Sequence, residues 1–170
     1  MYIKNKSSIL DLGGGPGRYS FYLTKKDNQV LLVDIAKNNI DFANQKAIEY
    51  NFSIDTLVGE AKHIKSLVNK KFDYILLLGP IYHTLDEIER INIIQQCIDL
   101  LNDKGIIFIS FISSYSRIMY SIREKPEDII SCKLLNQDIL KSLNSQNSFR
   151  KNPDKFLIEP DKIEPFMNQF

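Results

Sequence analysis

As far as residue 112 the chain alternates two rhythms: short, solid apolar runs, and longer stretches with an apolar residue every three or four positions. The runs at 8–12 (Ser-Ile-Leu-Asp-Leu), 29–34 (Gln-Val-Leu-Leu-Val-Asp) and 72–78 (Phe-Asp-Tyr-Ile-Leu-Leu-Leu) are too continuously apolar for a sheet face open to water. They predict buried parallel strands. Residues 52–58 alternate and predict a third strand in chain order, and 106–112 predicts a fifth after a turn at Asn102-Asp103-Lys104-Gly105. Helical stretches separate them. Residues 36–50 place Ile40, Ala43, Ala47 and Tyr50 on one helical face, 18–26 and 61–68 predict shorter helices, and a Thr84-Leu85-Asp86-Glu87 capping box opens a helix through Ile88, Ile91, Ile94, Ile98 and Leu101.

Strands alternating with helices over short connections predict an α/β fold: a doubly wound parallel sheet, strand order 3-2-1-4-5, flanked by helices. The order reverses between strands 1 and 4, and ligands of such sheets bind outside the carboxyl ends of the strands at that reversal. Residues 1–112 form this core. From 113 to 170 the pattern changes to polar helical pieces broken at Pro126 and Pro153, including 134–143, and reads as a helical cap or lid within the same domain. Residues 163–170 begin a last amphipathic helix.

Four of the seven glycines, Gly13, Gly14, Gly15 and Gly17, stand directly after the first strand. Clustered glycine is costly in chain entropy, so this position calls for a tight turn or a close approach of backbone to something else. A dinucleotide site wants Gly-x-Gly-x-x-Gly, but the sixth place is Arg18 counted from Gly13 and Ser20 counted from Gly15. That fingerprint fails in both registers, which argues against a nicotinamide-dependent oxidoreductase. What the stretch does satisfy is acidic-x-Gly-x-Gly-x-Gly, with Asp11, Gly13, Gly15 and Gly17 each two apart.

With the strand before it, the helix after it and Asp34 at the end of strand 2, that spacing resembles motif I of the class I S-adenosylmethionine-dependent methyltransferases. The resemblance covers roughly 9–112 and implies a Rossmann-like core that binds S-adenosylmethionine and releases S-adenosylhomocysteine. It assigns the cofactor to Asp11, Gly13, Gly14, Gly15 and Gly17, to Asp34 and Ile35, to Glu60 and Ala61 in a Gly-Asp-Ala-like segment, and to Leu78 and Gly79. Asp34 would accept both ribose hydroxyls, and Glu60, in place of the commoner Asp, would meet the adenine amino group. On the residues alone, Asp34 is equally a turn acid and Glu60 an acid favoured in a first helical turn. Leu78-Gly79-Pro80-Ile81-Tyr82-His83-Thr84 is similar to the Gly-Pro-Leu-Tyr-His-Leu signature of a bacterial group of small-molecule methyltransferases.

The family usually adds a helix before strand 1 and an antiparallel pair beyond strand 5, and this sequence carries neither pattern. The expectation is a core lacking the last two strands: a fragment, a homodimer that covers the open edge at strand 5, or a truncated protein that binds the cofactor without turnover.

Composition narrows the partner. A net charge of +1, with basic and acidic residues interleaved, gives no footprint for nucleic acid. No run is long and apolar enough for a membrane span, and Cys97 and Cys132 belong to no metal or disulfide pattern. A small-molecule methyl acceptor, no metal, no membrane and a cytoplasmic setting are the expectations. Methyl transfer from a sulfonium needs alignment and exclusion of water more than acid/base chemistry, with a base where the nucleophile carries a proton. His83 is the candidate base because imidazole changes charge near neutrality; equally, it packs against the cofactor or bonds a helix start. Tyr82 shapes the pocket or belongs to the core. Tyr115, Arg117 and Tyr120 open the lid region as further acceptor contacts.

Overall fold

The computed structural model describes residues 3–113, 115–124, 126 and 156–170. The chain divides into two compact units, Met1–Ser110 and Phe111–Phe170. In the first, β1 (Ser8–Leu12), β2 (Gln29–Asp34), β3 (Asp55–Val58), β4 (Phe72–Leu77) and β5 (Leu101–Ile109) form one sheet in the order β3-β2-β1-β4-β5. All four pairings are parallel. Helices α1 (Arg18–Thr24), α2 (Lys37–Tyr50), α3 (Ile64–Leu67), α4 (Pro80–His83) and α5 (Glu87–Asp99) lie between them. The predicted fold and strand order stand.

The solid apolar runs are solid because both sheet faces are covered. Successive strand residues point to opposite faces, yet Ile9 and Leu10, Leu32 and Val33, and Ile75 to Leu77 are all buried. Ile9, Leu23, Val30, Tyr74 and Leu76 form one cluster; Leu32 packs with Ile40 and Ala43 of α2 in another. At about 25 cal/mol per Å² of apolar area, the middle strands and the helices that cover them share the hydrophobic stabilisation. Rigid central strands fix the loops at their ends.

Four local expectations are corrected. The third strand starts at Asp55 rather than residue 52, because Asn51 (φ 53°) ends α2 in the left-handed conformation and the Phe52 amide bonds back to the Ala47 carbonyl. The turn at 102–105 sits inside β5 as a bulge: Phe72 pairs with Leu101 and Tyr74 with Ile106, so four residues are looped out opposite Asp73. Thr84 does not cap the start of α5 but ends α4 as its C-cap. Pro80 starts the short α4, the Thr84 hydroxyl donates to the Pro80 carbonyl at 3.0 Å, and the cap of α5 falls to Asp86, whose carboxylate accepts from the Glu89 amide at 2.8 Å. The buried face of α5 is Arg90, Ile93, Ile94 and Cys97: of the predicted stripe Ile94 is buried, Ile91 and Ile98 are half-buried, Ile88 is exposed and Leu101 belongs to β5.

In the second unit β6 (Ile112–Ser113) pairs in parallel with β7 (Leu157–Ile158), and Phe166 of α7 (Pro160–Met167) stacks edge-on against Phe111 and Phe170. The fifth predicted strand therefore ends at Ile109, and Ile112 joins this separate sheet. The last helix starts at Pro160, three residues before the predicted position, where the fixed φ of proline suits a first turn. Helix α6 (Ser116–Glu124) carries Tyr120, exposed like Tyr115 before it. The predicted helical piece 134–143 and Cys132 lie outside the described residues. Among the described residues no helix is long and apolar enough to cross a membrane.

Candidate active site

The carboxyl ends of β1, β2, β3 and β4 release the chain into four loops, and direct contacts stitch these loops together. The Gly13 amide donates to the Val33 carbonyl at 2.7 Å, so the exit of β1 leans on β2. The Gly59 amide donates to the Asp34 carbonyl at 3.0 Å, which brings the exit of β3 to the same place. On the other side, a Cβ on Gly13 would stand 2.5 Å from Pro80 Cγ, and one on Gly79 would stand 3.1 Å from the Gly13 carbonyl oxygen. The exits of β1 and β4 thus touch across the point where the strand order reverses.

Within the glycine loop, Gly13 and Gly15 do different work. Gly13 (φ 71°) is fixed by crowding, since any side chain there meets Pro80. Gly15 (φ 58°) has nothing within 4 Å of the place where a Cβ would stand. Its left-handed backbone faces open space, so this stretch of loop presents bare main chain to whatever lies outside it. The Gly17 amide closes the turn on the Gly14 carbonyl at 3.1 Å, and α1 begins at Arg18.

Two buried carboxylates flank the loop. Asp34 accepts three N–H groups: Gly15 amide to Oδ2 at 2.8 Å, Ala36 amide to Oδ1 at 2.9 Å and Asn39 Nδ2 to Oδ1 at 3.0 Å. Asp11 accepts from the Ser20 hydroxyl at 2.6 Å. Burial pushes the Asp11 carboxyl up to about 6, against the opposing pull of the Ser20 hydrogen bonds, and the nearby Asp34 charge adds to the rise. Neither carboxylate has a salt-bridge partner among the described residues.

The remaining predicted residues lie around this centre. Ile35 is two-thirds exposed beside Asp34. Glu60 pairs with Lys62 at 2.7 Å and makes no cap hydrogen bond to the short helical turn that starts at Ala61. Leu78 and Gly79 are half-buried after β4, and the Ser110 hydroxyl donates to the Leu78 carbonyl at 2.6 Å. Tyr82 is half-buried and His83 exposed, their rings 4.8 Å apart.

Ser20, Asn39 and Arg90 escaped the sequence reading. Ser20 and Asn39 bond the two carboxylates, and buried Arg90 donates through Nη1 to the Thr84 and Leu85 carbonyls at 2.9 and 2.8 Å, fixing the segment that follows His83. An arginine inside an isoleucine-rich helix was the only visible signal. Cys97 is buried and its thiol pushed up to about 12, so it stays protonated. Among the described residues no His, Cys, Asp and Glu side chains gather as a metal site.

A bare-backbone cradle at Gly15, acceptor capacity left on Asp34 Oδ2 and two carboxylates without counter-charge suit a ligand with hydroxyl donors and a positive centre. Residues 9–105 match the family described as a methyltransferase domain, and the chain belongs to that family. No curated protein matches the chain. Similar solved structures include the TehB-like S-adenosylmethionine-dependent methyltransferase from Corynebacterium glutamicum, at 28% identity and a TM-score of 0.57 over 66% of this chain and 58% of that one. TehB from Haemophilus influenzae matches at 26% identity and a TM-score of 0.57 over 63% of this chain and 37% of that one. The chain thus spans less than two thirds of either protein. PH0226 from Pyrococcus horikoshii shares the fold, at 19% identity and a TM-score of 0.68 over 99% of this chain and 74% of that one.

Proposed function

We propose that the chain binds S-adenosylmethionine at the strand-order reversal and transfers its methyl group to a small-molecule acceptor. The observation that carries this reading is the junction of glycine loop and carboxylate: Gly15, left-handed and open to space, donates its amide to Asp34. The bound cofactor supplies an electrophilic methyl group on a sulfonium sulfur. Main chain at Gly13, Gly14, Gly15 and Gly17 lies along it, Asp34 and Ile35 hold the ribose, Glu60 and Ala61 the adenine, and Leu78 and Gly79 wall the site. Asp11, which a Cβ on Gly14 would meet at 2.5 Å, backs the glycine loop and would add negative charge to a site that takes a cationic cofactor.

His83 takes the proton from an acceptor hydroxyl or ammonium group, and Tyr82 packs beside it. Exposure leaves the imidazole free to exchange that proton with solvent. The interleaved charges on the chain supply no phosphate-tracking groove, so the acceptor is a small molecule rather than RNA.

Isothermal titration with S-adenosylmethionine and S-adenosylhomocysteine, with NADH as competitor, tests the binding half. Micromolar affinity for both sulfur compounds, undisturbed by NADH, is expected; a folded protein that binds neither contradicts the reading. For the chemical half, His83→Ala lowers kcat by at least about a hundredfold, the scale of lost general-base catalysis, while S-adenosylhomocysteine affinity stays unchanged. Retained cofactor binding with no transfer to any acceptor would instead leave a cofactor-binding module.

A further inference from the structure

We propose that Asn39 shares recognition of the ribose with Asp34, so that the vicinal diol of an adenosine ligand is held by a carboxylate–amide pair rather than by the carboxylate alone. The inference rests on the cofactor reading above and deepens it at one subsite.

The argument is a count of acceptor sites. An ionised carboxylate accepts at about four positions, two on each oxygen. Asp34 Oδ1 already receives the Ala36 amide at 2.9 Å and Asn39 Nδ2 at 3.0 Å, and Oδ2 receives the Gly15 amide at 2.8 Å. One position remains, on Oδ2. A 2′,3′-diol brings two hydroxyl donors side by side, so Asp34 held in this way satisfies one of them and a second acceptor is required.

Asn39 supplies that acceptor. A carboxylate cannot donate, so the amide nitrogen of Asn39 must face Asp34, which fixes the orientation of the side chain and turns its Oδ1 elsewhere. Asn39 is half-buried in the first turn of α2, and its side chain makes no other hydrogen bond among the described residues. One side chain therefore locks Asp34 Oδ1 through its amide nitrogen and keeps its own carbonyl oxygen as an acceptor with no hydrogen bond among the described residues. The Gly15 and Ala36 amides hold the two Asp34 oxygens, one each.

The test is a ligand-by-variant cycle. Wild type and Asn39→Leu are titrated with S-adenosylhomocysteine and with its 2′-deoxy and 3′-deoxy analogues, with thermal unfolding recorded alongside; Asn39→Ala serves where Leu disturbs folding. In wild type, removal of either hydroxyl weakens binding about fivefold to tenfold, the size of one lost hydrogen bond. In the variant, S-adenosylhomocysteine weakens by about the same factor, and one of the two deoxy analogues loses no further affinity, a coupling confined to one hydroxyl. A parallel loss for all three ligands makes Asn39 merely structural and overturns the inference, as does unchanged affinity in the variant. Failure of wild type to bind S-adenosylhomocysteine overturns the cofactor reading itself, and this inference with it.

Discussion

Asp11 and Asp34 sit toward the carboxyl ends of neighbouring strands, both buried, both beside the glycine loop, and their surroundings differ in kind. Asp34 is met by three N–H donors, two of them loop amides, so its charge is spent holding the exits of β1 and β2 in register. Asp11 is met by Ser20 alone, through its hydroxyl and amide, and burial outweighs that help. One carboxylate organises the loop; the other stores an electrostatic penalty beneath it. A residue retained at a cost to stability beside a site fits a functional group rather than a structural one.

Asp34→Ala should produce the largest effect. It strips the acceptor from three N–H groups, so denaturant unfolding should report a loss of about 3 kcal/mol, at roughly 1 kcal/mol for each hydrogen bond. Calorimetric affinity for S-adenosylhomocysteine should fall more than a hundredfold. A variant with undiminished stability would mean that the loop does not depend on Asp34.

Asp11→Asn should do the opposite. A folded-state value near 6, raised from 3.8, means that the folded protein binds the extra proton between these limits. Asp11 therefore contributes stability that is full at low pH and lost as pH rises through about 6. The rise amounts to about 3 kcal/mol at about 1.4 kcal/mol per pH unit. The stability of Asp11→Asn relative to wild type should accordingly climb by about this amount from pH 4 to pH 7, as urea unfolding at each pH would measure. A flat difference would remove the contrast between the two acids.

Gly15→Ala is the mildest for stability and sharpens the division of labour. A left-handed alanine costs about 1 kcal/mol in thermal or urea unfolding, with no clash added. Cofactor affinity should drop more than tenfold, because the new methyl group enters the open cradle.

These contrasts also mark where the sequence was transparent. Strands β1, β2 and β4 were legible because burial on both faces forces continuous apolar runs, and the glycine spacing was legible because left-handed backbone admits few other residues. Strand order followed from the alternation of elements. Partners set by distant packing were hidden: nothing at Ser20 or Asn39 announces the carboxylate each one meets. The Thr84 cap failed because Pro80 started an extra turn that claimed the threonine hydroxyl. The isoleucine stripe of α5 misled because Arg90, bonded to two carbonyls, could take a buried position that hydropathy assigns to an apolar residue.

The central claim is that the loop at Gly15 and the acid at Asp34 hold an S-adenosyl ligand, and amide-resolved NMR tests it most directly. Titration of the 15N-labelled chain with S-adenosylhomocysteine should shift the amides of Gly15, Ile35, Ala61 and Gly79 together, at one saturable affinity, and leave those of Asn51 and Phe52, which lead into the amino end of β3, in place. Shifts confined to other residues, or none at saturating ligand, would contradict it.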